Sequence, residues 1–256
     1  PYAVPAMYRR HFHALNAQGE TDFRWRGEAV SRLEGLTDAV FALALTLIVV
    51  SLSVPTTYGE LIEAFVQVPV FLACFAILFW CWVCHFQFHR RYGMEDPITI
   101  LLNAVLLFLV LLYVYPLKFL FVTLWNRVLR DFRVYDALGN PVVDAAGNFV
   151  RPYANEQGPS LMILYGLGYA GIFLPYTAMT WHAWRRRELL ELDERERLVT
   201  LVTLRGHGIQ AAFGLASVSL AWLDLAPVAG LIYFGIGPAM GLHGWWSGRR
   251  IEALRR

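Results

Sequence analysis

Ser31-Arg32-Leu33-Glu34-Gly35-Leu36-Thr37-Asp38-Ala39-Val40-Phe41-Ala42-Leu43-Ala44-Leu45-Thr46-Leu47-Ile48-Val49-Val50 places three charged side chains in its first eight residues and none in the next twelve. That is the pattern of a helix whose polar head meets the bilayer interface and whose body lies in hydrocarbon. A carboxylate at the bilayer centre costs about 2.5–3.5 kcal/mol on insertion scales and less near the surface, so Asp38 needs a compensating partner. The helix dipole offers part of it, because acidic groups are favoured at a helix N-terminus.

The rest of the 256-residue chain has the same character. It is 57% hydrophobic and 16% charged, with a mean hydropathy of +0.45, against roughly 45–50% and 25% for soluble domains. A disordered chain is excluded, a soluble globular enzyme is not expected, and an integral membrane protein is. A net charge of +2 gives no broad basic surface for nucleic acid. The three cysteines, Cys74, Cys81 and Cys84, share one apolar stretch, which excludes a secreted disulfide scaffold. The chain begins at Pro1, so a few residues are expected to precede it. Its first 30 residues lack an apolar core, and no cleavable leader is expected.

Six long runs lack Asp, Glu, Lys and Arg: Ala39–Gly59, Ala64–His89, Pro97–Leu117, Gln157–Trp184, Gly206–Leu223 and Leu225–Gly248. A crossing helix needs roughly 20 apolar residues, which five runs meet and the fifth nearly meets. Asp224 and Pro227 mark a tight turn between the last two. Lys and Arg set the orientation. Seventeen of the 22 flank the runs on one side, which is then cytoplasmic. The other five, Lys118, Arg127, Arg130, Arg133 and Arg151, fall in the long third connection, which alternation places outside. The expected fold is an all-α membrane protein with six transmembrane helices, multi-pass in the cell (inner) membrane, both termini cytoplasmic. Its parts are a cytoplasmic segment over 1–31, three membrane helices within 32–124 and an extracytoplasmic loop over 125–157. Three more membrane helices lie within 158–248, with a cytoplasmic helical extension near 185–205, and 249–256 form a cytoplasmic tail. The third connection reads as a polar loop, two-stranded hairpin or ordered cap, and no internal repeat is evident.

Helical spacing sorts the first segment. At about 100° per residue, Leu43, Thr46, Leu47 and Val50 lie within roughly 100° of one another, and Asp38 lies roughly 140° from Leu43. Asp38 therefore points to neighbouring helices rather than along the Leu43 face. By spacing alone that face suits packing or lipid. Cys81-x-x-Cys84-His85 matches a c-type haem attachment run, but it sits in a helix end expected on the cytoplasmic side. A metal site from Cys81, Cys84, His85 and His89 lacks a clear fourth ligand. Small buried cysteines and an interfacial histidine are the expectation, with no metal and no cofactor. His182, His207 and His243 sit near the cytoplasmic interface and the Trp and Tyr residues form aromatic belts. No nucleophile elbow, P-loop or HExxH is present, so an enzyme is not expected.

The head of the first segment resembles the signature of the transmembrane protein 175 family, the lysosomal and prokaryotic potassium channels. The family's Arg-x-x-x-Phe-Ser-Asp reads here Arg32-x-x-x-Leu36-Thr37-Asp38, with two positions conservatively changed and Thr46 and Pro55 following. Trp82-x-x-His85 resembles the family's Trp-x-x-His, and Asn103 with Pro116 its third helix. The resemblance covers about residues 32–120. It implies a homotetramer in the lipid bilayer with a pore lined by helix one. Leu43 would be the main apolar constriction, Leu47 and Val50 further rings and Thr46 a polar layer. Arg32, Thr37, Asp38, Trp82, His85 and Asn103 would form the polar network that braces helix one. Cations would permeate passively, potassium in preference and other monovalent cations besides. The alternative is a proton-coupled secondary transporter titrating Asp38 and His85; a non-conducting scaffold is a third reading.

Overall fold

A computed structural model describes residues 23–27, 29–50, 54–129 and 133–254. Eight α-helices lie in the described residues: α1 Arg32–Val50, α2 Tyr58–Val66, α3 Val68–Tyr92, α4 Pro97–Leu129, α5 Gly158–Arg185, α6 Glu194–Trp222, α7 Ala226–Leu231 and α8 Ile236–Ala253. Only isolated bridges, no named strands, occur among them. Five stretches are long and apolar enough to cross a membrane: α1, α3, α4 as far as Arg127, α5 and Ala226–Ala253.

The helices begin where local chemistry starts them. Ser31 and Glu34 form a reciprocal cap on α1, the Ser31 amide donating to the Glu34 carboxylate at 2.8 Å and the Glu34 amide to the Ser31 hydroxyl at 3.1 Å. Asp96 opens α4, accepting from the Ile98 and Thr99 amides and the Thr99 hydroxyl. It also meets His182 Nε2 at 3.0 Å and Arg186 at 3.8 Å, joining the start of α4 to the end of α5. Burial pushes the Asp96 carboxyl up, but the Thr99 hydroxyl, His182 and the Ile98 amide outweigh it and hold the group below its ordinary value. A depressed carboxyl stabilises the fold above its unfolded pKa, and that contribution is lost as pH falls through the folded value. Asp96→Ala is therefore expected to cost about 0.5–2 kcal/mol at neutral pH, with the difference from the parent vanishing in acid below the ordinary aspartate range. Thermal melts in detergent across a pH series check this.

Several expected boundaries move. Helix α4 continues through Pro116 to Leu129, so Lys118 and Arg127 are helical rather than loop residues. At about 1.5 Å per residue its 33 residues outreach the bilayer core. The helical extension expected near 185–205 is not a continuation of the fourth span. Helix α5 stops at Arg185, the chain turns through Glu191 at φ 49°, and Asp193 starts α6 with a capping box to Glu196. Asp193-x-x-Glu196 is the sequence signal for that start. The run Gly206–Leu223 is then the second part of α6, which is not among the five apolar stretches because Thr200, Thr203, His207, Gln210, Ser217 and Ser219 dilute it. The chain reverses at Asp224, φ 58°, where the Leu225 amide donates to the Leu220 carbonyl at 3.0 Å. The last run is interrupted, a 3₁₀ turn at Ile232–Gly235 separating α7 from α8.

Small residues let α5 and α6 pack backbone to backbone. A Cβ on Gly214 would meet the Ala170 nitrogen at 2.7 Å and the Gly166 carbonyl at 2.8 Å. The main core joins Phe41, Ala44 and Ile48 of α1 to α3, α4 and α5. Tyr176 of α5 donates to the Cys81 carbonyl of α3 at 2.6 Å.

The long third connection contains an eight-residue repeat that the sequence reading missed. Val134 to Pro141 and Val142 to Phe149 each carry Asp-x-x-Gly-Asn. In each copy the aspartate accepts from the amides two and four residues on, and the glycine takes φ 81°. Val142 donates to Val134, Val150 to Val142 and Val134 to Val150, each at 2.9 Å, closing a ring of backbone bonds. Gly139 of the first copy lies against the Glu63 carboxylate of α2.

Candidate functional site

Helix α1 has two faces. Glu34, Thr37, Phe41, Ala44 and Ile48 are buried at the helical spacing of one packed stripe. Opposite stand Leu36, Leu43, Thr46 and Val50, all exposed, with Leu43 at 51% and Val50 at 71%. Leu47, expected on that face, is half-buried and packs against the core. The Thr46 hydroxyl donates to the Ala42 carbonyl at 2.8 Å, so its oxygen lone pairs are what the exposed face presents.

The polar residues expected to brace α1 meet in two contacts. Asn103 Nδ2 of α4 donates to the Thr37 hydroxyl at 2.9 Å, and that hydroxyl donates to the Leu33 carbonyl at 2.9 Å. Both side chains are fully buried. Trp82 Nε1 of α3 donates to Asp38 Oδ1 at 2.7 Å, giving the carboxylate the partner its position requires. His85 is buried beside Asn103. Among the described residues Arg32 forms no hydrogen bond or ion pair with these groups, so the sixth expected member stands apart at the exposed helix start. Asp38 is exposed and given to Trp82, whereas His85 is sealed at 1% exposure and stacks on His89 with ring centroids 4.0 Å apart. Among the described residues Asp38 and His85 share no hydrogen bond, and of the two only Asp38 has the exposure that a titrating carrier would need.

Trp82 also belongs to an aromatic ladder along α3. Phe75, Phe79, Trp82 and Phe86 stack at 5.5–5.9 Å between successive centroids. Cys81 and Cys84 are buried free thiols. Among the described residues no three His, Cys, Asp or Glu side chains are grouped to hold a metal ion.

Sequence reasoning passed over a cleft of about 310 Å³ at the head of α1, lined by Arg26, Ser31, Glu34, His89, Gly93 and Glu95 among others. Ser31-x-x-Glu34, a capping-box spacing, was the available signal for its inner wall.

The comparisons follow the same helices. The sequence profile of the family described as endosomal/lysosomal potassium channel TMEM175 matches residues 32–116, which hold α1, α3 and the bracing residues. A potassium channel of Marivirga tractuosa is 34% identical over 239 residues, 91% of this chain and 94% of that one. The chain belongs to the TMEM175 family. A crystal structure of a variant of the potassium channel MtTMEM175, bound by a nanobody–MBP fusion, superimposes with a TM-score of 0.74 at 31% identity, covering 90% of this chain and 98% of that one. A TMEM175 homologue from Chamaesiphon minutus, described as a lysosomal potassium-selective channel, shares the fold, with a TM-score of 0.51 at 17% identity, covering 84% and 96%. The TMEM175 likeness therefore extends past the matched motifs into α5–α8, where sequence reading had only span count to go on.

Proposed function

We propose that this chain is one subunit of a homotetrameric channel that conducts potassium passively across the cell (inner) membrane. Its function is permeation, not catalysis, with potassium preferred over other monovalent cations. Each subunit contributes six crossing helices, α6 joining the five long apolar stretches as the fifth in chain order, with both termini cytoplasmic. The pore is lined by the exposed face of α1. The observation that carries the reading is the division of α1 into a fully packed stripe and an unpartnered one bearing Leu43, Thr46 and Val50.

Four copies of one side chain around a symmetry axis make a ring. A ring of Leu43 narrower than a hydrated ion blocks sodium and admits the ion that loses water more readily, which is potassium. Thr46, one turn further along, offers oxygen to the partly dehydrated cation, and Val50 extends the apolar wall, with Leu47 at its edge. Thr37–Asn103 and Asp38–Trp82 hold the helix in register and do not touch the ion.

The test is ion flux from proteoliposomes holding the purified protein. Potassium is expected to run down its gradient faster than sodium with no pH gradient applied. Flux that requires a proton gradient, or none of either ion at any voltage, overturns the reading.

A further inference from the structure

Residues Phe23–Gly27 precede the pore helix, and the sequence reading used their arginines only to set orientation. Arg26 forms a fork with Glu196 of α6, Nη1 to Oε1 at 3.0 Å and Nη2 to Oε2 at 2.6 Å. Its Nε donates to the Leu190 carbonyl at 2.7 Å, Nη2 to the Glu191 carbonyl at 3.2 Å and Nη1 to the Arg24 carbonyl at 3.0 Å. All five donors of the guanidinium are thus engaged. Glu196 is matched as fully: its two oxygens also accept from the Arg24 amide at 2.8 Å and the Asp193 amide at 3.1 Å. The two side chains are 12% and 4% exposed, so this is a desolvated pair and not a surface bridge.

The other edge of the same segment lies on the end of α3. The Arg26 and Gly27 amides both donate to the Arg90 carbonyl, at 3.0 and 3.2 Å, and Arg90 Nη1 donates back to the Gly27 carbonyl at 2.9 Å. Gly27 sits so near the His89 carbonyl that any Cβ would collide with it. Phe23 is buried against Tyr92, with ring centroids 5.4 Å apart, and lies under the guanidinium groups of Arg26 and Arg91.

Helix α1 itself packs only on α3 and α4 among the described residues. The clamped segment is what ties it to the α5–α6 turn, and only four residues separate Gly27 from Arg32, where α1 begins. The cleft lies beside that link, lined by Arg26 and Gly27 of the segment and by Ser31 and Glu34 at the helix head, which is also held by the Thr37–Asn103 contact.

We propose that the Arg26–Glu196 pair positions the cytoplasmic end of the pore helix, so that the α5–α6 turn governs channel opening through the segment that leads into α1. This rests on the reading of α1 as the pore lining. Arg26 and Glu196 are positioning residues: neither touches the ion, and the selectivity groups at Leu43 and Thr46 lie a further two turns or more along the helix.

Single-channel recording in planar bilayers tests it with Arg26→Lys, Arg26→Gln, Glu196→Gln and the double variant Arg26→Gln/Glu196→Gln, alongside Leu43→Ala. Open probability is expected to change on the order of tenfold in Arg26→Gln and Glu196→Gln. Arg26→Lys, which keeps the charge and loses the fork, is expected to fall between them and the parent. The double variant should differ little from either single one, because the two residues act as one unit. The potassium-over-sodium ratio should stay at the parent value in all four. A purely structural tie would lower thermal stability and leave open probability unchanged in the channels that assemble, and that result overturns the proposal. Should the neutral variants fail to assemble, Arg26→Lys alone decides it by the same reading. A changed ion ratio in Leu43→Ala with unchanged gating in the clamp variants refutes the clamp and leaves the pore reading standing. An unchanged ratio in Leu43→Ala removes the pore reading and the clamp with it.

Discussion

Leu43→Ala is expected to lower the preference for potassium over sodium on the order of tenfold and to raise total cation flux. Leu43 is 51% exposed within the subunit, so truncation opens space on the unpartnered face of α1 and leaves the core intact. Thermal stability should stay within about 0.5 kcal/mol of the parent, as for a substitution away from the packed interior. Phe41→Ala is the contrast. Phe41 is 2% exposed in the core shared with α3, α4 and α5, and its truncation is expected to cost about 3–5 kcal/mol. The channels that still fold should keep the parent ion ratio. Paired flux and melting measurements check both halves. A Leu43→Ala protein with the parent ratio would mean that the constriction is elsewhere.

The second large effect is expected at Asp38. Asp38→Asn keeps an oxygen for Trp82 Nε1 to donate to, so passive potassium flux should persist within about threefold, with a stability loss of about 1 kcal/mol for the lost charge assistance. Asp38→Leu removes the acceptor. It leaves the indole N–H without its partner and should cost about 1.5–3 kcal/mol and most of the assembled protein. Yield of assembled protein and flux per assembled channel separate these outcomes. A carrier that titrates Asp38 would behave otherwise: Asp38→Asn would fold normally and lose its coupling to protons.

The parts of this protein legible in the sequence were those with a local cause. The start of α4 at Pro97 and of α5 beside Pro159 follow from proline's place in a first helical turn. The two faces of α1 follow from its spacing, whereas the Thr37–Asn103 and Asp38–Trp82 contacts were expected only through the resemblance of those positions to a family signature. Counting charge-free runs ignored that Thr, Ser, Gln and His are uncharged yet polar, and α6 turns several of them to its neighbours: Thr200 to Tyr92 of α3, Gln210 to Tyr169 of α5 and Ser217 to the Ala229 carbonyl of α7. The capping boxes at Ser31 and Asp193 were readable and were passed over, as was the Asp-x-x-Gly-Asn repeat. The partner of Arg26 was not readable at all. Glu196 lies 170 residues away, and no periodicity joins a cytoplasmic arginine to one glutamate among several in a charged turn.

The central claim is that the exposed face of α1 lines the conduction path. The most direct measurement is block of potassium flux by a cationic thiol reagent on single-cysteine variants. The three native cysteines are buried, so the background is low. Leu43→Cys and Thr46→Cys are expected to lose most of their flux on modification and to be protected by a high concentration of a permeant-site cation. Ala44→Cys, on the packed stripe at 0% exposure, should be unaffected. Flux untouched at both Leu43→Cys and Thr46→Cys, or blocked equally at Ala44→Cys, would contradict the account.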